Sequence, residues 1–265
     1  MSTLVCADLD RTLIYSAAAL GLTMDDAEAP PLLCVEVYQQ APLSFMRLDA
    51  AQELLALAQA AVLVPTTTRT PEQYARVHLP GRVPPFAITA NGGRLLVDGE
   101  LDGDWSGYVT DLLSTSAALA EVLDHLRQPR EFLINVRSAA NLFAYAVVER
   151  SQLPAAWVAE LVDWCTPRRW TVSVQGRKVY CVPQDLRKST AAREVQRRTG
   201  CRRLLAAGDS LLDADLLSTA DLGVRPAHGE LHDTGWSAAH VHRTSTSGVA
   251  AGAEIVHWLT TQVVR

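Results

Sequence analysis

The sequence predicts an α/β protein: a three-layer core on a parallel sheet, carrying an inserted α+β block. Three observations predict it. Short apolar runs alternate with helical patterns at both ends of the chain, the mark of repeated βα units. The middle reads helix, two strands, helix, hairpin, which is the order of an antiparallel sheet with helices on one face. Acid-bearing loops follow the apolar runs, where open parallel sheets place their ligands.

In chain order, residues 4–7 form a first buried strand that stops at an acidic loop. Residues 50–60 have a helical pattern, and 61–65 a buried strand that runs into Thr66-Thr67-Thr68-Arg69. Residues 86–89 are another short strand, closed by the turn signal Asn91-Gly92-Gly93. The spacing then predicts a helix over 109–127, paired strands over 132–136 and 143–149, and a helix over 154–165. That last helix carries Trp157, Leu161 and Trp164 on one stripe. Residues 170–174 and 179–182 read as a hairpin. Beyond Pro183 the βα alternation returns, with Asp185 capping a helix that Gly200 ends. A strand over 204–207 runs into Gly208-Asp209-Ser210, followed by a helix over 213–219, strands over 221–224 and 239–242, and a closing helix over 252–263. The expected domains are therefore a core of residues 1–94 and 183–265 and an inserted block of 95–182.

Composition narrows the function. An apolar fraction of 48% with 20% charged residues suits a folded chain and excludes wholesale disorder. The net charge of −5 supplies no field for a nucleic-acid backbone. Five scattered cysteines, an odd number without a C-x-x-C pair, suit reduced thiols in a cytoplasm. No signal-peptide pattern opens the chain and no run approaches the ~20 apolar residues of a membrane span, so a cytoplasmic protein is expected. Oligomeric state is left open.

Four features sit at the ends of predicted core strands. Asp8 and Asp10, two residues apart, can converge on one small volume as nucleophile and proton carrier. Thr67 offers a hydroxyl after a buried strand, although Thr66 and Thr68 offer the same group. Lys188 lies in the first turn of a helix, where its charge and the free backbone N–H groups favour phosphate. Asp209 and Asp213 add two carboxylates. Crowded carboxylates repel one another, and a hard oxygen-seeking cation such as Mg²⁺ removes that penalty.

These residues carry a resemblance. Asp8-Leu9-Asp10-Arg11-Thr12-Leu13, Thr67, Lys188 and Gly208-Asp209 with Asp213 resemble the four ordered motifs of the haloacid dehalogenase-like superfamily, over residues 4 to about 225. That fold is a Rossmann-like core. The inserted block is similar to the type IIB cap of Cof-like sugar phosphatases, an arrangement shared by sucrose-phosphate and mannosyl-3-phosphoglycerate phosphatases. Thr89-Ala90-Asn91-Gly92-Gly93 is similar to the loop those families carry before the cap, and Thr67-Thr68-Arg69 stands where they commonly read T-G-R. The resemblance implies a Mg²⁺-dependent phosphatase acting on a small phosphorylated metabolite. It makes Asp8 the nucleophile and Asp10 the acid and base. Thr67 and Lys188 grip phosphate, while Asn91, Gly92 and Arg69 are candidate substrate contacts. Asp8, the Asp10 backbone carbonyl and Asp209 hold the metal, with Asp213 supporting it or Lys188. A phosphomutase with the same aspartates and a non-catalytic binding protein of the same fold are the alternatives.

Other residues read as ordinary structure. Arg137, Arg177 and Lys178 are turn charges near hairpins. His228 and His232 lack the acidic neighbour that would complete a zinc motif.

Overall fold

The computed structural model describes residues 2–264 as two compact units. One contains the residues up to Leu101 together with those from Lys188 onward, and the other is Asp102–Arg187.

The first leg of the larger unit runs β1 (Thr3–Ala7), β2 (Tyr15–Ser16), β3 (Leu32–Tyr38), β4 (Ala41–Arg47), α1 (Leu48–Ala60), β5 (Val62–Pro65), α2 (Pro71–Tyr74), β6 (Phe86–Thr89), β7 (Arg94–Val97) and β8 (Glu100–Leu101). Every residue of β1 is buried, the signature of a central parallel strand covered on both faces. Helix α1 buries Ala50, Ala51, Leu54 and Leu57, which share one face by their spacing of three and four.

The smaller unit holds α3 (Gly103–Leu112), α4 (Leu119–Leu126), β9 (Leu133–Ala139), β10 (Phe143–Val148), α5 (Ala155–Cys165), β11 (Trp170–Gln175) and β12 (Lys178–Pro183). Its sheet is antiparallel in the order β11-β12-β10-β9. The single helix expected over 109–127 is two helices. Between them Ser116 and Ala118 are extended, at ψ 153° and 139°.

The chain then returns with α6 (Lys188–Thr199), β13 (Arg203–Ala207), α7 (Ala214–Thr219), β14 (Leu222–Arg225), α8 (Glu230–Asp233), β15 (Val241–Arg243) and α9 (Gly248–Val264). Asp185 does not cap α6: its carboxylate meets Arg169, 2.5 Å away. Helix α9 begins at Gly248, four residues earlier than the sequence predicts.

Five parallel strands in the order β15-β14-β13-β1-β5 make the central sheet. On one face Val5, Ala7, Leu205, Ala207 and Val224 pack with Leu54 and Leu57 of α1 and Ile255, Val256 and Leu259 of α9. The other face has so little room at Gly223 that a Cβ there would lie 2.9 Å from Leu217 of α7. Helices therefore cover both faces, giving the three-layer α/β core the sequence predicts. A second small sheet, β6-β7-β8, joins at a parallel bridge between Thr66 and Ile88. Residues 95–97 and 100–101 thus pair within the larger unit, although the sequence places them in the inserted block.

The register decides where the chemistry sits. Ala7 pairs with Ala207 on one side and Pro65 on the other, so Asp8, Thr66 and Gly208 leave the sheet at one level. No helix among the described residues is long and apolar enough to cross a membrane.

Helix α9 passes so close to the loop after β1 that a Cβ on Gly252 would lie 2.7 Å from the Tyr15 ring and 3.1 Å from the Thr12 carbonyl oxygen. Gly252→Ala should therefore destabilise the protein by about 1–3 kcal/mol, the usual cost of overpacking a core. Urea denaturation of the two proteins measures it, and an unchanged midpoint would contradict the packing described.

Candidate active site

Asp8 is the first residue past β1, and its backbone N–H donates to the Ala207 carbonyl (2.9 Å), extending the ladder one step. Its carboxylate is buried, receiving Lys188 Nζ at 2.7 Å and the Thr12 hydroxyl at 3.4 Å. The loop that follows folds back on Leu9, whose carbonyl accepts from Thr12, Leu13 and Ile14, with Arg11 held at φ 61°.

Lys188, the first residue of α6, is fully buried, and its ammonium bridges Asp8 Oδ1 (2.7 Å) and Asp213 Oδ1 (2.5 Å). Burial pulls its pKa down, but the two carboxylates outweigh it and hold the amine charged. Asp213 Oδ2 accepts from Asp209 N–H (3.2 Å), Ser210 N–H (3.0 Å) and Ser210 Oγ (2.8 Å). A Cβ on Gly208 would overlap the Asp213 carboxylate, so the loop closes this tightly only with glycine there. Asp213 therefore holds the loop and the lysine together.

Asp209 is different. Its carboxylate is buried, and its one side-chain partner among the described residues is Arg11 Nε, 3.6 Å from Oδ2. Burial and the negative charges of Asp8 and Asp213 push its pKa well above the ordinary range. Burial also raises Asp8, to about 7; Lys188 opposes this, while Asp213 and Asp10 add to it. The carboxylate oxygens of Asp8, Asp209 and Asp213 lie within 4.8 Å of one another. Three buried carboxylates with one lysine, one of them without a hydrogen-bond donor, fit a divalent cation.

The Asp10 carboxylate is held by a different cation. It is half-exposed and takes two parallel hydrogen bonds from Arg69, Nε to Oδ2 and Nη2 to Oδ1, both 2.8 Å. Thr67 is buried after β5, with its N–H donating to Ile88 O (2.8 Å) and its Oγ1 accepting from Arg69 N–H (3.1 Å), leaving the hydroxyl hydrogen available. The Thr66 hydroxyl turns back onto Val64 O (3.0 Å). Asn91 N–H donates to Thr67 O (3.0 Å), and Ala90 N–H to Arg69 O (2.7 Å), so the 90–92 turn lies against the threonine loop. Ala90, Asn91 and Gly92 all have positive φ, which asparagine and glycine tolerate best.

Sequence reasoning missed two residues here. His228 Nδ1 accepts from Gly248 N–H (3.2 Å), so Nε2 carries the proton and donates to Arg11 O (2.9 Å). Burial keeps the ring neutral. A histidine outside any motif thus braces the loop that carries Arg11. Glu36 is the second. Buried on β3, it meets Arg69 Nη1 (2.8 Å), Arg76 Nε (3.2 Å) and the Ser44 hydroxyl (2.6 Å). Burial would raise its pKa, but these partners bring it below the ordinary value.

No family model matches the chain, and no curated protein does. Solved structures do. The sucrose-phosphatase from Synechocystis sp. PCC6803, determined with sucrose and phosphate, superposes with a TM-score of 0.68 at 19% identity, covering 98% of each chain. A Thermoplasma acidophilum protein gives 0.63 at 12% identity, again with 98% of each chain covered. The C. albicans trehalose-6-phosphate phosphatase C-terminal domain gives 0.53 at 11% identity, covering 98% of this chain and 92% of that one. These likenesses show the fold, a three-layer α/β core on a parallel sheet with an α+β unit between its two chain segments, as the sequence predicts.

The crowded carboxylates should make stability depend on pH. Asp8 rises from 3.8 to about 7 on folding, so between those values the folded state binds more protons. Stability is then greatest at low pH in this window and is lost as pH rises through about 7. In chelator-treated protein, Tm should fall between about pH 5 and pH 8. A divalent cation at ~100 times its Kd should restore about 2.7 kcal/mol. Asp209→Asn should flatten the pH dependence and remove most of the cation's effect. Scanning calorimetry decides, and a Tm unresponsive to both pH and cation would refute the carboxylate cluster.

Proposed function

We propose that the protein is a Mg²⁺-dependent phosphatase that hydrolyses a small sugar phosphate or phosphoglycerate-like metabolite through an aspartyl-phosphate at Asp8. The observation that carries this reading is the Lys188 ammonium bridging Asp8 and Asp213 beside Asp209, whose cation Arg11 is 3.6 Å away. An anionic nucleophile meets a phosphate dianion only where positive charge is concentrated around both. The sucrose-phosphatase and trehalose-6-phosphate phosphatase neighbours support a sugar phosphate as the substrate class.

The residues have separable tasks. Mg²⁺, held by Asp8, Asp209 and the Asp10 backbone carbonyl, would neutralise phosphoryl oxygens and orient them for in-line attack. Asp213, its oxygens occupied by donors, supports that site by holding Lys188 and the 208–210 loop. Lys188 and the Thr67 hydroxyl receive phosphoryl oxygens, with the 90–92 turn and Arg69 at the rim of the substrate site. Asp8 forms a bond to phosphorus as the ester P–O bond breaks, and Asp10 gives its proton to the departing oxygen. Asp10 then takes a proton from water as that water attacks phosphorus, freeing Asp8 and inorganic phosphate. The five cysteines, none in a disulfide, suit a reducing cytoplasm as the place of this reaction.

Asp8→Asn should leave the far-ultraviolet circular dichroism unchanged and drop turnover on phosphorylated sugars below detection. Wild-type protein with Mg²⁺ should release inorganic phosphate in proportion to substrate consumed. Substrate loss with no free phosphate would indicate a mutase, and turnover by Asp8→Asn would remove Asp8 as the nucleophile.

A further inference from the structure

Glu36 belongs to none of the four motifs, yet it lies one residue behind the proposed acid and base. It sits on the β3–β4 hairpin, outside the catalytic sheet. The hairpin is anchored: His78 N–H donates to Val35 O (2.7 Å), Glu36 bridges Val77 in antiparallel sense, and Leu48 N–H donates to Pro31 O (2.9 Å). Ser44 on β4 fixes Glu36 Oε2 at 2.6 Å, while Oε1 receives Arg69 Nη1 and Arg76 Nε. The Arg76 guanidinium stacks over Tyr38 at 4.5 Å. Every group around Glu36 is thus held by another.

Arg69 is the link. Its Nη1 is tied to Glu36 at the rear, and its Nε and Nη2 grip both oxygens of Asp10 at the front. The guanidinium is planar and its five donors are fixed relative to one another, so pinning one edge sets the direction of the other. Arg69 is largely buried, with 12% of its side chain exposed, against 50% for Asp10. An exposed carboxylate has many rotamers, and proton transfer within hydrogen-bond reach uses few of them. A buried carboxylate with two arginine partners is costly to assemble.

We propose that Glu36 is a positioning residue for proton transfer: it fixes the Arg69 guanidinium, which in turn orients the Asp10 carboxylate toward the leaving oxygen. This rests on the phosphatase reading above and adds to it a residue from outside the catalytic loops.

The test separates positioning from bulk stability through the leaving group. An alkyl phosphate needs its departing oxygen protonated, whereas p-nitrophenyl phosphate departs as a stabilised anion. Glu36→Gln keeps the shape of the side chain and removes its charge. It should lower kcat/KM for the alkyl phosphate by about 10²-fold, the scale of a misplaced catalytic group, and for p-nitrophenyl phosphate by less than about threefold. In an Asp10→Asn background, adding Glu36→Gln should change kcat/KM for the alkyl ester by less than about twofold, because the two act as a unit. Ser44→Ala, which removes one hydrogen bond and leaves both ion pairs, should show the same selectivity at smaller size and covers the case of a Glu36→Gln protein that does not fold. Equal losses on both esters, or fully additive losses in the double variant, would overturn the proposal. Absence of phosphate release by the wild-type protein from either ester would instead bring down the phosphatase reading itself.

Discussion

The site is organised by repulsion. Asp8, Asp209 and Asp213 share a volume in which their oxygens lie within 4.8 Å, away from water, with one buried ammonium among them. Even with the Arg11 guanidinium 3.6 Å from Asp209, the carboxylates repel one another at low dielectric, and the pKa values of Asp8 and Asp209 rise in response. What keeps them together is the backbone: the β1 and β13 strands end in register, and a glycine at 208 lets the second loop close against Asp213. The stability of the sheet thus holds in place a cluster that the local electrostatics alone would disperse. A site strained in this way gains most from a ligand that supplies positive charge.

The same geometry assigns different jobs to chemically identical side chains, according to the donors each receives. Asp213 is saturated, with Lys188 on one oxygen and three donors on the other. It acts as part of the frame. Asp8 has the lysine and a long contact from Thr12, which keeps one oxygen poised without consuming the carboxylate. Asp209 has only a distant arginine. Where hydrogen bonds are missing, an ion has the most to contribute.

How much of this was legible in the sequence follows from what leaves a local trace. Strands β1, β5, β6 and β13 are short apolar runs bounded by polar loops, so their ends and the residues beyond them could be read directly. The break after α3 was harder. Ser114 Oγ donates to Asp111 O, and such local bonds compete with helix continuation, but the apolar spacing runs on across it. The β3–β4 hairpin left almost no trace. Its turn is Gln39-Gln40, both at positive φ, where Asn-Gly or Asp-Gly would have announced it. Register shifts on either side of Glu36 break the alternation that marks a strand. An acid in such a run reads as surface, and only the fold shows it to be buried against two arginines. His228 was hidden for a similar reason: its partners, Arg11 and Gly248, are distant in the chain and both are reached through backbone atoms.

Glu36 and His228 thus illustrate one constraint from two sides. The loops at the ends of the parallel strands are short, and short loops cannot supply all the donors that hold their own carboxylates and carbonyls. Support must come from elements elsewhere in the chain. His228 serves the backbone of the loop that begins at Asp8, and Glu36 serves the side chain of Asp10 through Arg69. The two differ in chemistry because the atoms they serve differ. A carbonyl needs one directional donor, which a neutral imidazole of fixed tautomer provides. The Asp10 carboxylate is met by a fork, and Glu36 behind that fork sets its plane. The difference between the two supports thus follows from the atoms that each one holds.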